Sequence, residues 1–377
     1  MSTTTRGADA AAVDLLYNDV EDQLRAAVRS LLADSAPIAD TLKRLEGSLA
    51  YDPGLWTSLT GLGAAGLHLP EAVGGGGATY RETAVVLEEL GWSLAPTPFL
   101  GSAVLATEVL AVSAPERLPG LLDGTATATL VVAQASSPWE PVPPHVTVRD
   151  GAISGTVRSV ADARDADVLL VPALDGDTLE VHAVERAAVT IEPVTSLDQT
   201  RPIADVVLDG ARGDRLARGE LAERAVRDAL VAGAALLASE QLGVAERCFA
   251  MTLDYVRERR QFGRAIGSFQ VIKHRLADLF VAISQARAAA RYAAACLAND
   301  EQDLPVAVCL AQSYCSDLAV RVAEECVQMH GGIGFTWEHP AHLYLKRAKA
   351  DQITLGTPDH HRAALAPLVD LPGPVRG

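Results

Sequence analysis

A chain of 377 residues, 49% hydrophobic and 21% charged, carries enough apolar material for two or three packed units. Its formal net charge of −16 argues against a nucleic acid or an anionic membrane as partner, because such surfaces select clustered lysine and arginine. No apolar run reaches the roughly 20 residues that a bilayer-spanning helix needs, and residues 1–9 are polar, so the expected location is the cytoplasm. Cys248, Cys296, Cys309, Cys315 and Cys326 fall in helix-like segments with neither Cys-x-x-Cys pairing nor histidines at metal spacing. They read as buried free thiols, and no metal site is expected.

Residues 14–33 place Leu15, Val20, Leu24, Val28 and Leu31 at the spacing of an amphipathic helix, which the polar break from Asp34 to Pro37 stops. Shorter helices are expected over 38–49 and 55–62. Four consecutive glycines at 74–77 cannot sit in a stable helix and mark a loop, either flexible or close to something else. The next helix, 80–91, should end at Gly91, with Glu88 and Glu89 on a solvated face. A helical hairpin over 98–122 completes an N-terminal helical domain, residues 1–123.

Composition changes at Gly124. Short runs rich in Val, Ile and Thr at 125–132, 145–148, 168–171, 179–184, 189–194 and 204–208 are separated by turn residues, and Asp150-Gly151 between Val148 and Ile153 suits a hairpin. Residues 124–212 therefore read as a middle antiparallel β-domain. Residues 213–377 turn helical again, with long helices over 220–259, 269–299 and 305–329 and a fourth beginning at 341. Long antiparallel helices with short connections make a bundle, and this one has apolar surface enough to form a subunit interface as well. The fold class is α+β.

Two stretches of the bundle carry chemistry. Residues 255–270 end one helix in a knot of cations, Arg257, Arg259 and Arg260, then turn at Phe262-Gly263 and Ile266-Gly267. Forked guanidinium donors suit phosphate oxygens and glycines let backbone approach a ligand, so a pyrophosphate-bearing cofactor is the natural guest. A solvated helix end complementing the helix dipole would explain the arginines alone. The second stretch is Gln328-Met329-His330-Gly331-Gly332-Ile333-Gly334-Phe335, directly after an amphipathic helix and without the strand of a dinucleotide fingerprint. Together the two closely resemble the C-terminal domain of the acyl-CoA dehydrogenase flavoproteins, in which an Arg-x-x-Phe-Gly and a Gln-x-x-Gly-Gly segment bind FAD across a subunit interface.

The resemblance implies an acyl-CoA dehydrogenase-like fold with a C-terminal four-helix bundle. It places Arg259, Gln261 and Phe262 on the FAD pyrophosphate and adenosine of a neighbouring subunit, Gln270 on a further polar contact, and Gln328, Gly331 and Gly332 on the cofactor turn. Thr357 matches the threonine of the family's Glu-Gly-Thr segment. The implied partners are an acyl-CoA substrate, a homologous subunit in a tetramer, and an electron-transfer flavoprotein or another electron acceptor.

The chain departs from the family's pattern where the catalytic base belongs. Glu-Gly-Thr is replaced by Leu355-Gly356-Thr357, and the family's second base position falls near Gly233. Glu240 and Asp359 are the relocated carboxylates to consider; Asp351 and Glu338 have ordinary salt-bridge or capping explanations. Residues 133–139, with Trp139 as a packing anchor, are shorter and less polar than the family's flavin loop, and with Leu355 would leave room for a bulky acyl chain. Two functions remain open. Either the chain is a self-sufficient homotetrameric dehydrogenase with a displaced base, or it completes a FAD site in a hetero-oligomer with a catalytic homologue. Residues 334–339 and 342–347 resemble the actinobacterial branch that acts on steroid side-chain CoA esters as heterotetramers.

Overall fold

A computed structural model describes residues 14–44, 51–140 and 146–371. The end of the second expected helix, beyond residue 44, and His145 lie outside these residues. The N-terminal region holds α1 (Asp19–Ser35), α2 (Ile38–Arg44), α3 (Pro53–Gly61), α4 (Tyr80–Ser93), α5 (Thr107–Ser113) and α6 (Pro119–Leu122). Helix α1 starts at a capping box in which Asn18 and Glu21 satisfy each other's backbone N–H groups. A π-helical stretch, Phe99–Ala106, leads directly into α5.

Two expectations for this region are corrected. Helix α4 runs past Gly91 to Ser93 and ends at Leu94, whose φ is 54°. Gly91 serves close packing instead: a Cβ there would lie 2.1 Å from the Glu240 carbonyl oxygen, and one on Gly243 would lie 1.9 Å from that of Glu88. Glu88 and Glu89 are buried, not solvated, because α1 covers them with cations. Arg29 and Arg25 bond the Glu89 carboxylate, while Tyr17 and Arg25 reach Glu88, whose carboxyl is raised above its ordinary value by burial and then by Glu246. The glycine loop lies against neighbouring backbone, since a Cβ on Gly75 would lie 2.2 Å from the Leu69 carbonyl oxygen.

The middle region is one sheet of β1 (Ala128–Leu130), β2 (Val146–Arg149), β3 (Ala152–Ala161), β4 (Val168–Asp175), β5 (Thr178–Glu185), β6 (Thr190–Val194), β7 (Ile203–Ala211) and β8 (Asp214–Arg218). The order is β6-β7-β3-β2-β4-β5-β8, mostly antiparallel, with β1 parallel to β4 at Ala128↔Val168. Asp150 and Gly151 both take positive φ in the β2–β3 hairpin. Strand β8 lies beyond the expected boundary at residue 212, because the turn at Gly213 returns the chain to pair with β5.

The bundle is α7 (Glu220–Glu258), a small hairpin of β9 (Arg260–Gln261) and β10 (Arg264–Ala265), α8 (Gln270–Ala298), α9 (Leu304–His330), α10 (Ala341–Asp351) and α11 (Pro358–Leu368). Up, down and up again, these long helices bring the C-terminal ends of α7 and α9 to one end of the bundle. By length and composition α7 and Leu304–Phe335 could each cross a membrane, unlike the sequence expectation, but most of each apolar window is buried in the core. All five cysteines are free and buried.

An ion cluster joins the β-region to the bundle. Arg201, in the loop before β7, bonds both oxygens of Glu240 on α7 at 2.8 and 2.6 Å and Asp351 on α10 at 2.7 Å. Arg347 bonds Asp198 at 2.6 Å and also Glu240. Three carboxylates thus face two guanidiniums, and burial, then Glu240, pushes Asp351 up to about 7.

Candidate functional site

The two positions where the resemblance expects a base meet in space. Leu355 follows α10 and is 2% exposed, while Gly233 lies on the middle of α7. A Cβ on Gly233 would lie 3.0 Å from Leu355 Cδ1 and 2.6 Å from Leu105 Cδ2, the latter delivered by the π-helical stretch. Where a carboxylate would be needed, two leucine side chains close on a glycine. The room expected around Leu355 is therefore absent: the side chain fills it.

Leu355 is also held by its backbone, at φ 57°. Its N–H donates to the Gln134 carbonyl at 2.8 Å, and the Gln134 amide donates to Thr354 Oγ1 at 2.8 Å. The Leu355 carbonyl lies 3.0 Å from His361 Nε2, and Trp139 Nε1–H donates to His361 Nδ1 at 3.0 Å. An indole N–H only donates and a carbonyl only accepts, so His361 is fixed as the neutral Nε2–H tautomer. Burial pushes its pKa down to about 4. This excludes His361 as an acid–base group at neutral pH and makes it a brace between two loops. Nothing in the sequence linked Trp139 to His361, because their contact exists only after the β-region docks on the bundle.

Neither relocated carboxylate has the setting of a base. Burial raises Glu240, but Arg201 and Arg347 outweigh it and hold the group below the ordinary carboxylate value, with both oxygens occupied. It is a structural anion. Asp359 is exposed on the first turn of α11, where it pairs with Arg362 at 2.9 Å. Thr357 caps the same helix, its hydroxyl accepting from the His360 N–H. Among the described residues no group of three or more His, Cys, Asp or Glu is poised for a metal.

A cleft of about 400 Å³ opens beside this wall, lined by Trp139, Leu174, Leu179, Glu223, Val226 and Leu230 among others. Val226, Leu230 and Gly233 step along one face of α7, so Gly233 lies about one helical turn beyond the lining residue Leu230.

The other stretch is of opposite character. Arg259, Gln261, Gln270, Gln328, Gly331 and Gly332 are all exposed, and Phe262 is 92% exposed at φ 53°. The Arg259 side chain has no ion pair among the described residues. Gly331 has φ 62° and ψ −139°, a conformation open to glycine alone, and a Cβ on Gly331, Gly332 or Gly263 would meet nothing within 4 Å. The two segments are brought together by ring contacts beneath them, Tyr255 stacked on His330 at 4.4 Å and His330 tilted against His339 at 4.3 Å. Unpaired guanidinium, open glycine backbone and a bare aromatic ring fit the phosphates and adenosine of a dinucleotide. Twenty-six residues of helix, about 39 Å, separate Arg259 from Gly233, longer than one extended dinucleotide. Thr357, beside Leu355, belongs to the far end of that distance.

Sequence models of two domains match this chain: "Acyl-CoA dehydrogenase, N-terminal domain" over residues 18–127 and "Acyl-CoA dehydrogenase, C-terminal domain" over residues 223–367. The chain belongs to the acyl-CoA dehydrogenase family. Members of the family are FAD-dependent oxidoreductases. The chain is 36% identical over 344 residues to acyl-CoA dehydrogenase IpdE2 of Mycolicibacterium smegmatis, covering 90% of this chain and 96% of that one. Among solved structures it resembles the ChsE4–ChsE5 complex of Mycobacterium tuberculosis, with TM-score 0.84 and 26% identity over 96% of this chain and 100% of the other. A steroid acyl-CoA dehydrogenase variant, Tcur3481–Tcur3483, gives TM-score 0.81 and 28% identity over 93% and 98%. The chain thus resembles mycobacterial and steroid-type members of the family over nearly its whole length.

Proposed function

We propose that this chain is a subunit of a hetero-oligomeric acyl-CoA dehydrogenase that helps to hold FAD at a subunit interface and leaves the catalytic base to its partner. The observation that carries this reading is the meeting of Gly233, Leu105 and Leu355: both base positions converge, and neither carries an ionisable side chain. A carbon acid beside a thioester needs an anionic base in a dry pocket, and leucine cannot accept a proton. The two-component names of the ChsE4–ChsE5 and Tcur3481–Tcur3483 structures support a division of labour between homologous chains, and the latter's description as a steroid enzyme supports a ring-bearing acyl group.

Arg259 would pair with pyrophosphate oxygens, the open backbone at Gly331 and Gly332 would admit the cofactor, and Phe262 would cover adenosine, all toward a neighbouring subunit's flavin. Bound FAD supplies acceptance of the β-hydrogen as hydride during α,β-dehydrogenation. This chain's residues orient the cofactor and exclude water, and the α-proton goes to a carboxylate of the catalytic homologue. Electrons then leave to an electron-transfer flavoprotein or another acceptor.

Purification of the chain alone and with a co-expressed homologous subunit tests the reading, with flavin content, native mass and bleaching by acyl-CoA as readouts. The expected result is acyl-CoA-dependent bleaching only in the mixed assembly. A homotetramer of this chain with about one FAD per subunit, bleached by acyl-CoA without a partner, would overturn it in favour of a self-sufficient dehydrogenase.

A further inference from the structure

The cleft is joined to Leu355 by a construction that spans two distant loops. Trp139 is a wall of the cleft, and its one polar atom is spent on His361, so it offers the cleft carbon surface. The two rings meet edge to face, with centroids 6.3 Å apart and planes at 89°. His361, fully buried, passes the connection to the carbonyl of Leu355. At its other end the same loop is fastened through Gln134, whose carbonyl accepts from Leu355 N–H and whose amide reaches Thr354. Gly356 fits this arrangement because a Cβ there would lie 2.9 Å from His361 Nε2 and 3.3 Å from Ser137 Cβ. The Leu355 backbone cannot move away from Gly233 without breaking these hydrogen bonds to its N–H and its carbonyl.

We propose that Trp139 and His361 are positioning residues that hold Leu355 as a plug across this chain's own acyl path, so that acyl-CoA in the assembled enzyme binds in the partner and not here. The inference rests on the hetero-oligomeric reading above and adds to it which chain receives the ligand. Absence of a base would stop turnover but would leave room for a thioester; the plug removes the room. Two aliphatic side chains packed on a glycine form a dry, filled contact, and an acyl chain entering it must displace Leu355 from van der Waals contact.

The test counts binding sites on the co-purified assembly by calorimetry with octanoyl-CoA, after native mass has shown each variant assembled. The wild-type assembly should bind one octanoyl-CoA for every pair of unlike chains. Trp139→Ala, His361→Ala and Leu355→Ala should each raise this toward two per pair without bleaching at the added site, since no base is gained. Trp139→Phe keeps the ring but removes the N–H, and separates the bond from the bulk. Leu355→Ala leaves both loops intact, so it reports on the plug even where a brace variant fails to assemble. Two sites per pair in the wild type would overturn the plug while leaving the hetero-oligomer standing, as would one site per pair in the wild type and in all three alanine variants. The titration is repeated with a steroid side-chain CoA ester, and a wild-type assembly that binds neither thioester would remove both readings together.

Discussion

The middle of α7 and its C-terminal end, about 39 Å apart on one continuous helix, are finished to opposite standards. Around Gly233 the chain fills its own space: Leu355 and Leu105 pack on the glycine, His361 and Trp139 spend their polar atoms on each other and on backbone, and the Glu240 carboxylate is matched by Arg201 and Arg347, while Asp351 has Arg201 on one oxygen. Around Arg259 the chain leaves its groups unspent, with Phe262, Phe335 and Trp337 exposed and glycine backbone open. A surface with polar and apolar groups left unpaired is one that another molecule completes. A site filled by the chain's own aliphatic side chains is one the chain has closed.

This contrast can be broken by substitutions that should affect one end and not the other. The largest effect on folding is expected from Arg347→Ala, which leaves Asp198 buried without its cation and Glu240 with Arg201 alone, and should lower stability by about 3–5 kcal/mol in denaturant unfolding. A loss below about 1 kcal/mol would show that the cluster is solvated in solution.

The brace gives a pH signature. His361 has a folded pKa of about 4 against an ordinary 6.5, so between those values the unfolded chain binds a proton that the folded chain refuses. Its contribution is therefore complete above about pH 6.5, fades as pH falls, and is gone near pH 4. At about 1.4 kcal/mol per pH unit this amounts to roughly 3 kcal/mol. Asp351, raised to about 7, works in the opposite direction: its contribution is present at low pH and is lost as pH rises toward 7. The difference between wild type and His361→Gln across pH 4–7 isolates the histidine, and parallel curves would exclude a neutral His361 brace.

At the open end the expectation reverses. Arg259→Gln should change stability by less than about 0.5 kcal/mol, as for an exposed side chain with no partner, yet weaken flavin retention by roughly 1.5–3 kcal/mol, about 10- to 100-fold. Equal retention in wild type and variant would remove Arg259 from the cofactor. The smallest effect belongs to Phe262→Ser. Chain stability should stay within about 0.5 kcal/mol, and the change should appear as weaker subunit association, read as native mass against concentration.

The exposed end was legible in the sequence because its signals are local. Arg259, Gln261 and Phe262 lie within four residues of one another, as do Gln328, Gly331 and Gly332 within five, and both groups follow long periodic helices. The same local logic found the three long bundle helices, most strands and the Asp150-Gly151 hairpin, since each rests on a residue's neighbours in the chain. The closed site was half legible. Leucine at 355 and glycine at 233 could be read as missing carboxylates, but not that they touch.

What only the tertiary structure decided depends on segments far apart in sequence. Glu88 and Glu89 look like surface residues until α1 lays Arg25 and Arg29 over them. Gly91 looks like a helix end until its lack of a Cβ is needed by the Glu240 carbonyl. Glu240 looks like a displaced base until Arg201 and Arg347 arrive from a loop and another helix, and Trp139 looks like a lone anchor until His361 accepts its N–H. Sequence by itself determined the elements, the family resemblance and the chemistry that is missing, because these depend on residue type and short-range spacing. Docking determined burial and partnership, and a carboxylate or an imidazole has no fixed role until the packing around it decides whether it is wet, paired or alone.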